Sequence, residues 1–139
     1  MGALIERPAF FDSLDGRRNL WRLARAQGIG AAATRQEVDR VLELVGLSDA
    51  AGKAVGNYSQ GMRQRLGIAQ ALLGSPRYLL LDEPANGLDP EGMAEMRALV
   101  RQLSREEGHG VLLSSHLLGE VAEVCDRIAV MKRGRLLLE

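Results

Sequence analysis

Asp82 and Glu83 stand side by side at the end of the apolar run YLLLD (78–82). Two adjacent carboxylates there suit magnesium-assisted water chemistry: one holds the hydration shell of a hard cation, and the other orients or deprotonates a water. The bland alternative is a turn carrying two solvated acids. His116 follows a second apolar run, VLLS (111–114), at the equivalent position; alone it is equally a cap or a surface residue. A third group lies in YSQGMRQRL (58–66), where Ser59, Gln60 and Gly61 make a polar step at the mouth of a helix. Glycine lets a backbone or ligand come close, and the residues alone leave open what sits at that mouth. Ser59 and Asp89 are also plain helix caps.

The elements that must position these groups can be read from the apolar pattern. A helix is predicted from Arg17 to Gln27, with Leu20, Leu23 and Ala24 on one face and Arg18, Arg22 and Arg25 on another. Thr34 to Glu37 has the spacing of a capping box ahead of Val38, Val41, Leu42 and Val45, so a second helix is expected to start there and close near Gly46. A third runs from about Gln60 to Leu73 and is stopped by Gly74 and Pro76. Beyond it the pattern changes. YLLLD, VLLS and IAVM (128–131) are short continuous apolar runs separated by helical stretches, which predicts parallel strands buried on both faces. Asp89 and Pro90 open the intervening helix as N-cap and first-turn proline, and KRG before RLLL suggests a final hairpin. In open α/β sheets ligands bind beyond the carboxyl ends of the strands, which is where Asp82, Glu83 and His116 fall.

Composition sets limits on partners. Eighteen basic and eighteen acidic residues cancel over 139 positions, so no global field favours nucleic acid or an anionic membrane. Scarce aromatics weaken base stacking, and no nucleic-acid partner is expected. Cys125 is the single cysteine, read as a small buried hydrophobe, and the lack of a disulfide framework fits a reducing compartment. No secretory signal pattern is visible, and no apolar run approaches the roughly 20 residues of a membrane helix, so work at a membrane would go through other chains.

Taken in order, YSQGM (58–62), LLLDEP (79–84), NGLD (86–89) and SSH (114–116) resemble the signature loop, the Walker B acids, the D-loop and the switch histidine of the ATP-binding cassette ATPases, and the likeness covers nearly the whole chain. Ser59 and Gly61 match a signature variant that begins with tyrosine, whereas Gln60 and Met62 depart from the commonest LSGGQ spelling, and Ala85 stands where threonine is usual. The lead-in GALIERPAF (2–10) is similar to that of members that export or give immunity to peptide antibiotics, in which glutamate replaces the Q-loop glutamine; Glu6 is that residue. The resemblance implies an α/β fold, a partial P-loop NTPase (RecA-like) parallel sheet with an inserted helical signature subdomain. It divides residues 1–139 into a Q-loop region (1–16), a helical subdomain (17–76) and an α/β core (77–139). It implies ATP and Mg²⁺, with Glu83 as general base, His116 as γ-phosphate sensor, Asp82 and Glu6 as metal ligands, and Ser59, Gln60, Gly61 and Asp89 as nucleotide contacts. The signature loop would face a nucleotide held mainly by a second ATPase subunit, so Ser59 is expected to lie far from Glu83. Transmembrane permease subunits would bind the helical segment and the loop around residues 8–15, with the chain cytoplasmic and peripheral at the inner face of the cell membrane.

The family's phosphate cradle, GxxxxGK[ST], is not found. In GLSDAAGKA (46–54) the glycines are one residue too far apart, Lys53 precedes alanine, and the stretch follows a helix; it is read as a loop. Met1 falls inside the family pattern, so the chain is expected to be N-terminally truncated, inactive alone, and marginally stable because a long apolar sheet edge would be exposed. Two functions stay open: an ATPase subunit of a drug or antibiotic-peptide exporter, or an inactive piece that lends its signature loop to an intact partner. Soluble members acting in DNA repair or translation are a weaker third.

Overall fold

The computed structural model of the protein describes residues 1–5 and 9–138. Strand β1 (Gly2–Leu4) is followed by three helices, α1 (Gly16–Ala26), α2 (Ala31–Leu44) and α3 (Gln60–Leu72). Then come β2 (Tyr78–Asp82), α4 (Pro90–Arg105), β3 (Gly110–Ser114), α5 (Leu118–Val124) and a hairpin of β4 (Val130–Lys132) and β5 (Arg135–Leu138). The order β1-β2-β3 forms one parallel sheet, in register Leu4↔Leu81 and Asp82↔Ser114. Helix α3 packs on β1 and β2, while α4 packs on β3, and Leu20, Val41, Leu66, Leu72, Leu81 and Leu103 are buried in a single apolar cluster. Helices and sheet therefore share one core. Glu6, assigned above to the metal site, lies outside the described residues.

Polar groups set the helix ends. Asp15 caps α1 by accepting the Arg18 amide at 2.7 Å. Asn19, only 2% exposed, accepts the Phe11 amide and donates to the carbonyls of Phe11, Leu14 and Asp15 at 3.0–3.3 Å. A buried amide with its hydrogen-bonding capacity filled in this way shapes the whole turn that leads into α1.

Three expectations are corrected. Helix α2 starts at Ala31, not at Thr34: Gly30 is the N-cap, and the Thr34 hydroxyl donates back to the Ile29 and Gly30 carbonyls inside the first turn. Glu37 is therefore not a capping-box partner. It receives Arg40 Nη2 and Nε at 2.7 and 2.9 Å and the Gly74 amide at 2.7 Å, while Arg40 also donates to the Leu72 carbonyl, so the pair closes the end of α3. The apolar run 128–131 does not extend the parallel sheet; β4 pairs antiparallel with β5. Arg133 and Gly134 both have positive φ, 49° and 73°, the conformation of a two-residue hairpin turn whose local closure needs no crossover. Finally, the parallel sheet is buried on one face only. Leu79 and Leu81 are covered, but Tyr78 and Leu112 are 53% and 69% exposed.

Two outcomes follow. Glu37 is held below its ordinary carboxyl value of 4.5, chiefly by the Arg40 hydrogen bond, with burial opposing and the Gly74 amide assisting. A depressed carboxylate stabilises the fold above that ordinary value, and the contribution is lost as pH falls through the lowered one. Glu37→Gln is expected to cost about 1–2 kcal/mol at neutral pH, with the gap to the parent closing as pH falls below the ordinary carboxyl value and through the lowered one, as urea midpoints across pH will report. The bare Tyr78–Leu112 face should keep the thermal midpoint of the chain below ~60 °C and make Leu112→Lys more soluble, which calorimetry and sedimentation will check.

Candidate functional site

The parallel register decides what meets at the carboxyl rim of the sheet. Because Asp82 pairs with Ser114, the residues that follow both strands emerge side by side. Glu83 leaves the strand with φ +47°, a left-handed conformation that costs a non-glycine residue about 1–2 kcal/mol. Its amide is held by the Ser114 carbonyl at 3.2 Å and the Ser114 hydroxyl at 3.1 Å. That turn aims its carboxylate at His116, whose Nδ1 lies 2.9 and 3.0 Å from the two oxygens. The histidine side chain is 62% exposed and the glutamate 32%, so the pair is open to solvent on one side and Nε2 is left for another partner. Asp82 is tied through Oδ1 to the Ser114 hydroxyl. The acids and the imidazole thus share one edge.

Ser114 carries no signal in the sequence that singles it out. Its role depends on which residue of β2 it faces, and only the register tells that.

Ser59, Gln60, Gly61 and Asp89 gather elsewhere. They line an open hollow of about 640 Å³ with Arg65, Gly87, Glu91 and Glu95 among others, and neither Glu83 nor His116 reaches it. Ser59 caps α3 by accepting the Met62 amide at 3.2 Å, and Asp89 caps α4 by accepting the Gly92 amide at 3.1 Å. Helix geometry leaves the first amides of α3 without partners in their own helix, at its positive end. Among the described residues the hollow carries Asp89, Glu91 and Glu95 against a single guanidinium, Arg65, which is itself 2.7 Å from Glu95. Its balance of charge does not draw a polyphosphate in unaided.

Two contacts hold this mouth in place. Tyr58 is buried and donates to the Ala50 carbonyl at 2.8 Å, and its phenol lies so close to Gly16 that a Cβ there would clash. Gln60 reaches across to donate to the Asn86 carbonyl at 3.0 Å, tying the step at 58–61 to the turn 84–87. A Cβ on Gly87, at φ +75°, would run into that same Gln60 amide. By contrast, Gly61 has room for a Cβ within the chain, since Leu88 is 3.7 Å away.

Cys125 is corrected from buried to half-buried, and it caps α5 rather than lying inside it. Burial, then the charge of Asp126, raises its thiol pKa, which keeps it protonated and a poor nucleophile. The stretch 46–54 is turn and loop, without a phosphate cradle. No helix among the described residues is long and apolar enough to cross a membrane.

Comparison with known proteins identifies a family. The family model for ABC transporters matches residues 1–86. The chain is 48% identical over 138 residues to an uncharacterized ABC transporter ATP-binding protein of Bacillus subtilis, covering 99% of this chain and 44% of that protein. It is 44% identical to a bacitracin transport ATP-binding protein of Bacillus licheniformis, over all of this chain and 44% of the relative. A daunorubicin resistance ATP-binding protein of Streptomyces coeruleorubidus is 41% identical, with the same coverage. The chain thus spans under half the length of these relatives.

The geometry makes two predictions. Glu83→Gly should be about 1 kcal/mol more stable than Glu83→Ala, because both lose the His116 bond and only glycine relieves the left-handed conformation, seen as a higher urea midpoint. Gly87→Ala should cost about 1–2 kcal/mol for its left-handed backbone, plus the collision with Gln60; in a Gln60→Ala background only the backbone part should remain.

Proposed function

Because this chain belongs to the ABC transporter family, we propose that it carries the Walker B acids, D-loop, switch histidine and signature loop of an ATP-hydrolysing subunit that drives export of a drug or antibiotic peptide. One observation carries the reading: the Glu83 carboxylate and His116 Nδ1 meet within 3.0 Å at the carboxyl rim of a parallel sheet, beside Asp82. The names of relatives that transport bacitracin or confer daunorubicin resistance support the choice of cargo.

The residues fit a magnesium ion of the kind that keeps most of its own water. Ser114 occupies one Asp82 oxygen and leaves the other available, and among the described residues no three metal-ligating side chains cluster into a full protein cage. One carboxylate plus waters and substrate phosphates is the usual magnesium arrangement. Asp82 would hold the ion, with Glu6 as a second ligand, and the bound ion would neutralise charge developing on the phosphates.

In this reading Glu83 takes a proton from the attacking water. The hydrogen bond from His116 holds its carboxylate in a single orientation toward the rim, so that little reorganisation is needed when the proton moves. Nε2 would donate to a phosphate oxygen when both ring nitrogens of His116 carry protons. Ser59, Gln60 and Gly61 present the positive end of α3 to the nucleotide of a second ATPase subunit, with Asp89 on the same surface. Separation of this hollow from the Glu83 edge supports such a division between two composite sites. Membrane-spanning subunits would dock near Phe11 and Trp21, exposed at 59% and 46%, at the inner face of the cell membrane.

The lack of a GxxxxGK[ST] cradle in residues 1–139 favours a second reading for this chain, in which it only lends its signature loop to a partner. Calorimetric titration with magnesium ATP separates the two. Micromolar binding by the chain supports the hydrolytic reading, and no binding up to millimolar supports the second. In the assembled transporter, Glu83→Gln should lower turnover about 10²–10⁴-fold and leave nucleotide affinity within about twofold, as paired hydrolysis and binding assays will show.

A further inference from the structure

We propose that Ser114 is a positioning residue that sets both acids of the site, an inference that rests on the magnesium role of Asp82 proposed above. Three observations meet at its hydroxyl. Ser114 faces Asp82 across the β2–β3 ladder; its Oγ donates to Asp82 Oδ1; and the same oxygen accepts the Glu83 amide at 3.1 Å. A serine hydroxyl has one proton and two lone pairs, so giving the proton to Asp82 leaves an acceptor for Glu83. The two bonds are compatible and act together.

Each bond does separate work. Donation to Oδ1 fixes the rotation of the Asp82 carboxylate, so its other oxygen is presented in one direction to a cation. Groups that orient a metal-binding carboxylate in this way usually govern affinity almost as strongly as the ligand does. Acceptance from the Glu83 amide adds a second anchor, besides the Ser114 carbonyl, to a residue held at φ +47°. A left-handed glutamate persists only where its surroundings over-determine it. Without the hydroxyl, Asp82 would rotate freely and the Glu83 turn would loosen. Serine at 114 thus links the metal-facing acid to the water-facing acid through a single oxygen.

The test uses Mn²⁺ as the probe, the 139-residue chain, and amide NMR signals of Glu83 and His116, which a bound Mn²⁺ broadens. Ser114→Val and Ser114→Thr are a matched pair: both are β-branched, suit a strand, and differ by the hydroxyl alone. The Mn²⁺ concentration for half-broadening is expected to rise about tenfold or more in Ser114→Val, to stay within about twofold of the parent in Ser114→Thr, and to rise at least as far in Asp82→Asn as in Ser114→Val. The Glu83 amide should also exchange with solvent faster in Ser114→Val than in Ser114→Thr. If Asp82→Asn abolishes broadening while valine and threonine behave alike, the role of Ser114 is overturned and the metal role of Asp82 stands. If Asp82→Asn has no effect, the metal role fails and takes the Ser114 proposal with it.

Discussion

Everything at the candidate site depends on the parallel pairing of β2 with β3 at the register Asp82↔Ser114. Parallel strands end on the same side of a sheet, so acids that follow one strand and an imidazole that follows the other are delivered to a common rim although 33 positions separate Glu83 from His116. A slip of one residue would turn Ser114 to the opposite face and remove the hydroxyl from Asp82. The register is in turn enforced by burial: Leu79 and Leu81 face the core, and their β3 partners Val111 and Leu113 pack against it. Apolar packing, which is not directional, thereby fixes a polar geometry that is.

The helical half is built by a different device. Its apolar faces bury residues such as Leu20, Val41 and Leu66, but the placement of the polar step at 58–61 relies on polar and steric contacts of single residues. Tyr58 passes beneath Gly16, Asn19 closes the preceding turn, and Glu37 with Arg40 closes the end of α3. Gln60 then bridges to the turn after Glu83. The two functional surfaces are distinct, yet a single side chain and a four-residue turn connect them.

Much of this was legible in the sequence because it is local. Helix α4 announces itself through Asp89 and Pro90, α3 through Ser59, Gly74 and Pro76, and the hairpin through KRG (132–134) before RLLL. The acids and His116 stood out because unusual side chains followed apolar runs. What escaped the sequence is non-local. Thr34 and Glu37 had capping-box spacing, but Gly30 starts the helix and Glu37 serves a loop 37 residues away. Val130 lies in an apolar run like those of the sheet strands, yet a tight turn captured it first. Ser114 and Asn19 are common residue types whose importance comes from what faces them, and a linear pattern does not record facing.

The central claim, that His116 and Glu83 touch at one rim, can be read from the imidazole nitrogen resonances of the chain, which has only two histidines. In a ¹⁵N correlation spectrum, Glu83→Gln is expected to move the His116 nitrogens and leave those of His109 in place, since the latter ring binds the Pro76 carbonyl instead. Unchanged His116 resonances would contradict the account.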